Sequence, residues 1–139
     1  MKKILIVEDE RITAMYNAYL LKKYGYKSIC VHTGEDAIRI ALSDNDISLI
    51  LMDIDLGKGI NGIHAAEKIY TERLLPIIFL SHNINLEEVK RIEAFIPYGF
   101  VSKSSNENIL IISIITAMRI FDNYMGLLQK IVKIYSKLN

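Results

Sequence analysis

The sequence predicts an α/β fold: a doubly wound parallel sheet of five strands with helices on both faces. Two observations lead there. Five short apolar runs alternate with five helix-length segments through short links, and that alternation builds a parallel sheet. The runs are also nearly unbroken in Ile, Leu and Val, as in Ile47-Ser48-Leu49-Ile50-Leu51-Met52, which suits strands buried on both faces. A third observation bears on function, because that run stops at a carboxylate, Asp53. A lone ionised carboxylate at the end of a core strand loses hydration and gains nothing. Open α/β sheets place their ligand crevice at the carboxyl ends of the strands. Asp53 is expected there, although a capping or loop aspartate looks the same in isolation.

At 139 residues the chain is long enough for one domain with its own core. Its composition, 51% hydrophobic and 24% charged, is that of an ordinary globular protein. A formal net charge of +1 gives no electrostatic argument for nucleic acid or for an anionic membrane. Cys30 is the only cysteine, so no intrachain disulfide and no cysteine-based zinc pattern can form. Between Ile29 and Val31 it reads as a small core residue. The apolar run after Met1-Lys2-Lys3 extends only from Ile4 to Val7, too short for a signal peptide or a bilayer span. The patch from Ile109 to Ile115 is also too short, with Arg119 close behind. The expectation is a cytoplasmic protein with no membrane insertion and no direct nucleic-acid binding.

Lys3-Ile4-Leu5-Ile6-Val7 reads as the first strand and ends at Glu8-Asp9-Glu10. Acids at a helix start favour the dipole; that explains one or two of them, and less well why they begin directly at a strand end. Ile12, Met15, Tyr16, Tyr19, Leu20 and Lys23 follow at helical spacing, and Gly25 stops the helix. Tyr26 to Val31 is the second strand, and Thr33 is a cap candidate before a short helix from Ala37 to Leu42. Ser43-Asp44-Asn45-Asp46 turns the chain into the Ile47 strand. The stretch from Asp55 to Gly62 is a glycine-rich loop that lacks the G-x-x-x-x-G-K-S/T of a P-loop. Ile63, Ala66, Ile69 and Tyr70 mark the third helix. Pro76 opens a fourth strand, Ile77 to Leu80, ending at Ser81-His82-Asn83. Leu86, Val89, Lys90 and Ile92 to Phe95 fit a fourth helix, and Pro97 to Val101 a fifth strand ending at Ser102-Lys103. Asn106 is placed to cap a last helix.

The strand ends supply a set of groups: Glu8 and Asp9, Asp53, Ser81 and Lys103. If the strands are neighbours, all five meet in one crevice. Three carboxylates so close repel, and a divalent cation removes the conflict. All-oxygen ligands with open positions suit Mg²⁺, which keeps waters and takes a phosphate oxygen. Lys103 and Ser81 add donors for an anion. A carboxylate nucleophile, a metal and an anion clamp fit phosphoryl transfer onto Asp53, giving an aspartyl phosphate by positioning and charge stabilisation.

At these residues the chain resembles the receiver domain of a two-component response regulator, over roughly Lys2 to Phe121. The resemblance is carried by Ile4-Leu5-Ile6-Val7-Glu8-Asp9-Glu10, by Leu49 to Leu56, by Gly59-Ile60-Asn61-Gly62, by Pro76 to Ser81 and by Gly99-Phe100-Val101-Ser102-Lys103. It implies the flavodoxin-like strand order 2-1-3-4-5 and Asp53 as the phosphorylation site. It implies Mg²⁺ held directly by Asp9 and Asp53, with Glu8 acting through water and the Asp55 backbone carbonyl as a further ligand. The phosphoryl donor it implies is a phosphohistidine on a histidine kinase or phosphotransfer protein. It also implies a switch in which Ser81 moves toward the phosphoryl group and Phe100 rotates inward behind it; from residue type alone, Phe100 reads as a static core ring. The implied output face is the end of the fourth helix, the fifth strand and the fifth helix. Four positions depart from or tune the pattern. Ser104 replaces the usual proline, which implies a trans bond or a displaced loop. His82 replaces a small residue and reads as a surface histidine. Asp55 and Asn83 stand where receivers tune loss of the phosphoryl group.

A receiver standing alone ends near Phe121, which divides the chain into 1–121 and an extension, 122–139. Yet Ile114, Ala117, Phe121, Tyr124, Leu128, Ile131, Tyr135 and Leu138 recur in steps of three and four, a heptad seam. Gly126 weakens a helix there by about 1 kcal/mol relative to Ala. The seam reads as a dimerising or signal-relaying helix, giving a homodimer or a lead into a further domain; the alternative is packing back on the receiver surface. Two other functions fit parts of the pattern. Asp53-Ile54-Asp55 has the spacing of an Mg²⁺-dependent phosphohydrolase with an aspartyl nucleophile, and a silent receiver would keep the fold as an interaction module without phosphorylation. On the first reading the chain is no enzyme beyond catalysing its own phosphorylation and dephosphorylation.

Overall fold

Five strands form the centre of the computed structural model, which describes residues 2–95 and 98–138. In chain order the elements are β1 (Lys3–Val7), α1 (Arg11–Lys23), β2 (Lys27–Val31), α2 (Gly34–Ser43), β3 (Ile47–Asp53), α3 (Gly62–Tyr70), β4 (Ile77–Ser81), α4 (Leu86–Ile92), β5 (Tyr98–Ser102) and α5 (Glu107–Leu138). The sheet order is β2-β1-β3-β4-β5, every neighbouring pair parallel. The winding direction reverses between β1 and β3, so a crevice opens at their carboxyl ends.

Side-chain alternation sorts the core into two layers. Leu5, Val7, Ile50, Met52, Ile77 and Phe79 face α2, α3 and α4; Ile4, Ile6, Leu49, Leu51 and Ile78 face α1 and α5. Cys30 is half-buried beside the second layer, and burial pushes its thiol up from the ordinary value. The helix starts are set by side-chain caps. Thr33 accepts from the Asp36 amide at 3.1 Å and Asn61 from the His64 amide at 2.9 Å, while Asn85 and Glu88 form a reciprocal capping box. Asn106 accepts from the Ile109 amide at 3.2 Å.

α4 is shorter than the sequence pattern predicts. It stops at Ile92, and the amides of Ala94 and Phe95 bond three residues back, to Arg91 and Ile92. That tighter turn brings Phe95 onto Phe79 and edge-on to Tyr70, with centroids 5.5 and 5.2 Å apart. The expected strand start at Pro97 lies outside the described residues. Arg73 gave no sign of its role in the sequence. Its guanidinium donates to the carbonyls of Ala41, Asp44, Asn45 and Ile47 at 2.6 to 3.2 Å, pinning the turn that leads into β3.

α5 runs unbroken through Gly126, about 48 Å at 1.5 Å per residue. Leu110, Ile111, Ile114, Ala117 and Met118 are buried against the sheet, and from Gln129 to Leu138 every residue is exposed. The alternative of packing back therefore holds for the start of the stripe, and its end projects into solvent. By length and composition alone α5 could cross a membrane (mean hydropathy 1.4), with 28% of that window buried, so the shortness of Ile109–Ile115 does not decide the point. The packing of its first turns into the sheet does account for their apolar character.

Candidate functional site

β1 and β3 deliver the acids. The ladder continues one residue past β1, where the Glu8 amide donates to the Val31 carbonyl at 3.1 Å. The Glu8 carbonyl in turn accepts from His32 Nδ1 at 2.8 Å, so that bond carries the proton on Nδ1. This contact was not legible in the sequence, where His32 stands alone. The strand-to-helix turn holds Glu8 inward at 1% exposure and leaves Asp9 outward. The helix-dipole reading extends to Glu10 at the cap and leaves the buried Glu8 unexplained. The first turn of α1 contains no acid, and Glu10 at its cap makes no side-chain bond to the helix.

Asp53 closes β3 and is 1% exposed. Its Oδ1 accepts from the Asp55 amide at 3.0 Å. Behind it α3 comes very near the strand: a Cβ on Gly62 would sit 2.0 Å from the Asp53 carbonyl oxygen, so only glycine fits. Glu8, Asp9 and Asp53 offer oxygens that all lie within 4.8 Å of one another. The Asp55 side chain is exposed and its carboxylate is not one of them.

Lys103 reaches into this cluster from the far side of the sheet. Its amide donates to the Ser81 carbonyl at 3.0 Å, one step beyond β5. The turn at Ser104 is held locally: its hydroxyl lies 2.8 Å from that of Ser102, and the Ser105 amide donates to the Ser102 carbonyl at 3.0 Å. So aimed, Lys103 Nζ donates to Glu8 Oε1 at 2.9 Å and stands 2.9 Å from Asp53 Oδ2. The second approach is an ion pair off the hydrogen-bond direction: Asp53 Oδ2 is buried with no hydrogen-bond partner.

The electrostatics follow from burial and from one lysine among three acids. Burial, then the Asp53 carboxylate, push the Glu8 carboxyl up to about 8, with Lys103 opposing. Burial disfavours the Lys103 ammonium, but Asp53 and Glu8 outweigh it and hold its pKa above the usual lysine value. The site keeps excess negative charge and an orphaned buried oxygen. A hard all-oxygen donor set with those properties fits Mg²⁺.

The other expected site residues lie nearby in a different posture. Ser81 is fully buried at the end of β4, and its hydroxyl donates to the Asn83 carbonyl at 2.6 Å while accepting from the Asn83 amide at 3.2 Å. Phe100 is not a core ring: it is 38% exposed on the edge strand β5, which has a sheet neighbour on one side only. His82 is exposed, as a surface loop residue would be.

The chain matches the model of the response regulator receiver domain over residues 4–115. Among solved structures it is similar to the N-terminal domain of a response regulator/sensory box/GGDEF 3-domain protein from Carboxydothermus hydrogenoformans. They are 37% identical, with 88% of this chain and 98% of that one covered and a TM-score of 0.81. It is also similar to a fusion carrying amino acids 181–211 of the yeast Spc42 trimeric coiled coil, 33% identical, covering 99% of this chain and 95% of that chain at a TM-score of 0.83. The transcriptional regulatory protein CpxR of Klebsiella pneumoniae subsp. pneumoniae is 33% identical over 81 residues, 58% of this chain and 34% of that protein. Probable histidine kinase 4 of Oryza sativa subsp. japonica is 37% identical over 68 residues, 49% of this chain and only 7% of that protein.

Proposed function

The chain belongs to the response regulator receiver domain family, and from that premise we propose that it receives a phosphoryl group on Asp53 from a partner phosphohistidine. One observation carries the reading: Lys103 Nζ lies 2.9 Å from both Glu8 and Asp53, and Asp53 Oδ2 is buried beside it without a hydrogen bond. That oxygen is the nucleophile. It forms the bond to phosphorus as the bond from phosphorus to the donor imidazole nitrogen breaks, and the electron pair leaves with the imidazole.

Asp9 and Asp53 would hold Mg²⁺ directly, with Glu8 through water and the Asp55 backbone carbonyl completing the protein ligands. When bound, the ion supplies charge neutralisation to a phosphoryl oxygen. Lys103 then exchanges its Asp53 oxygen for a phosphoryl oxygen while keeping Glu8. The Ser81 hydroxyl leaves the Asn83 carbonyl and donates to the phosphoryl group. The space behind it takes the ring of Phe100, whose exposure on β5 leaves it free to turn.

The donor is a histidine kinase or phosphotransfer protein. Ile12, Met15 and Tyr16 on α1, each more than half exposed, present an apolar face next to Asp9 that fits such a partner. The projecting end of α5 suits pairing with a second copy or relay to a further domain; the chain spans 7% and 34% of the length of two of its curated relatives. The family consists of signalling modules, and a phosphohydrolase reading is less well supported. It needs Asp55 as an acid, whereas Asp55 turns its amide to Asp53 and leaves its carboxylate in solvent.

The test is incubation with Mg²⁺ and acetyl phosphate, followed by intact mass. A single phosphoryl adduct that needs Mg²⁺ and is lost in Asp53→Asn is expected. Steady turnover of phosphomonoesters would favour the phosphohydrolase, and no adduct at all the silent module.

A further inference from the structure

The projecting end of α5 separates its side chains by chemistry. With about 3.6 residues per turn, the apolar side chains between Leu127 and Leu138 fall on one arc of about 160°, running from Ile134 to Val132. Lys130, Lys133 and Lys137 share the opposite arc with Gln129 and Ser136. None of residues 123–138 is acidic, and Asp122, the last acid before them, stands 3.6 Å from Lys2. The three lysines are exposed and pair with no carboxylate among the described residues. Three uncompensated positive charges thus lie behind an apolar face whose Ile131, Val132, Ile134 and Tyr135 are 49 to 65% exposed.

A second copy can seat on the seam through Leu127, Ile131, Ile134 and Leu138, but it gains no charge pairing there. Lys130 and Lys137 flank one edge of that seam, and Leu128 and Tyr135 the other. A parallel pair sets Lys130 against Tyr135, and an antiparallel pair sets lysine against lysine. Val132 lies outside the seam and would stay in water, because a two-stranded seam is narrower than this arc. Crossing a bilayer would drag all three lysines through hydrocarbon, and the first turns of α5 are already packed on the sheet. A broad apolar arc backed by lysines alone matches a surface that is apolar beneath and negative above.

We propose that the end of α5 lies in the interface of an anionic lipid bilayer. The apolar arc sinks to the acyl boundary, and the lysines extend their stems to reach the negative headgroups. The helix brings the receiver to a membrane surface without crossing it. This contact involves none of the groups around Asp53 and does not rest on phosphorylation.

The test sediments the full chain with phosphatidylcholine vesicles, with and without about 30% phosphatidylserine, at low and high salt. Binding to the anionic vesicles is expected to be about a hundredfold tighter, since each lysine near such a surface is worth about fivefold. That preference is expected to fade at about 1 M salt, and to vanish when Lys130→Gln, Lys133→Gln and Lys137→Gln are combined. Ile131→Asp with Ile134→Asp is expected to bind neither vesicle. Equal binding to both compositions, or an anionic preference that survives the lysine substitutions, would overturn the proposal. So would a chain that binds neither vesicle, whether sedimentation equilibrium finds it dimeric, with a second copy on this face, or monomeric. The comparison of vesicles on the unaltered chain stands whether or not the variants fold.

Discussion

Glu8 is the residue whose chemistry the sequence shows least. It looks like one of three surface acids, yet it is buried beside Asp53, and its carboxyl is pushed up to about 8 from an ordinary 4.5. The consequence for stability has a definite sign. A carboxyl that holds its proton more tightly when folded contributes stability that is complete below about 4.5 and is lost as pH rises through about 8. In Mg²⁺-free buffer the unaltered protein should therefore lose melting temperature across that interval more steeply than Glu8→Gln. Melting curves at several pH values check this, and equal slopes would refute it. Asp53 and Lys103 were legible because each ends an apolar run. The direction of the Ser81 hydroxyl and the exposure of Phe100 were not, since both depend on loop geometry and on which strand lies at the edge of the sheet.

At the scale of elements, the periodicity of α5 was legible, and which of its apolar positions the core takes up was not. The seam through Phe121 and Leu128 starts at Ile114 and Ala117, which the core already uses. Phe121 and Leu128 are half-buried, whereas Ile120, Leu127 and Ile134 are 50 to 59% exposed. With Tyr124, Ile131 and Leu138 they form a neighbouring seam in steps of four and three, the spacing that pairs with its own copy. Sequence periodicity marked the first seam, with Ile120, Leu127 and Ile134 widening its face; burial leaves those three open to a partner. If the tail dimerises, Leu127→Glu with Ile134→Glu should yield a monomer in sedimentation equilibrium, and Leu128→Glu with Tyr135→Glu should weaken association less. The reverse ranking would restore the original seam. The asparagine caps of α3 and α4 are short local signals of the same kind as Thr33, readable once the helix starts are known. The early stop of α4 was hidden because Phe95 continues its apolar pattern while the backbone has already left the helix.

For the whole molecule, the alternation of strand and helix sufficed to foresee a parallel sheet, and the family resemblance supplied its order, β2-β1-β3-β4-β5. Topology then turns a scattered list into a site. Glu8 and Lys103 are 95 positions apart in the chain but 2.9 Å apart in space. The formal net charge of +1 conceals this local concentration of acids. The central claim is that these strand ends act together to place a phosphoryl group on one aspartate. The most direct measurement treats the protein with Mg²⁺ and acetyl phosphate, reduces it with borohydride, which converts an aspartyl phosphate to homoserine, and maps the peptides by mass. Homoserine at position 53 alone, absent without Mg²⁺, is the predicted result; homoserine at Asp9 or Asp55, or at no position with Mg²⁺ present, would contradict it.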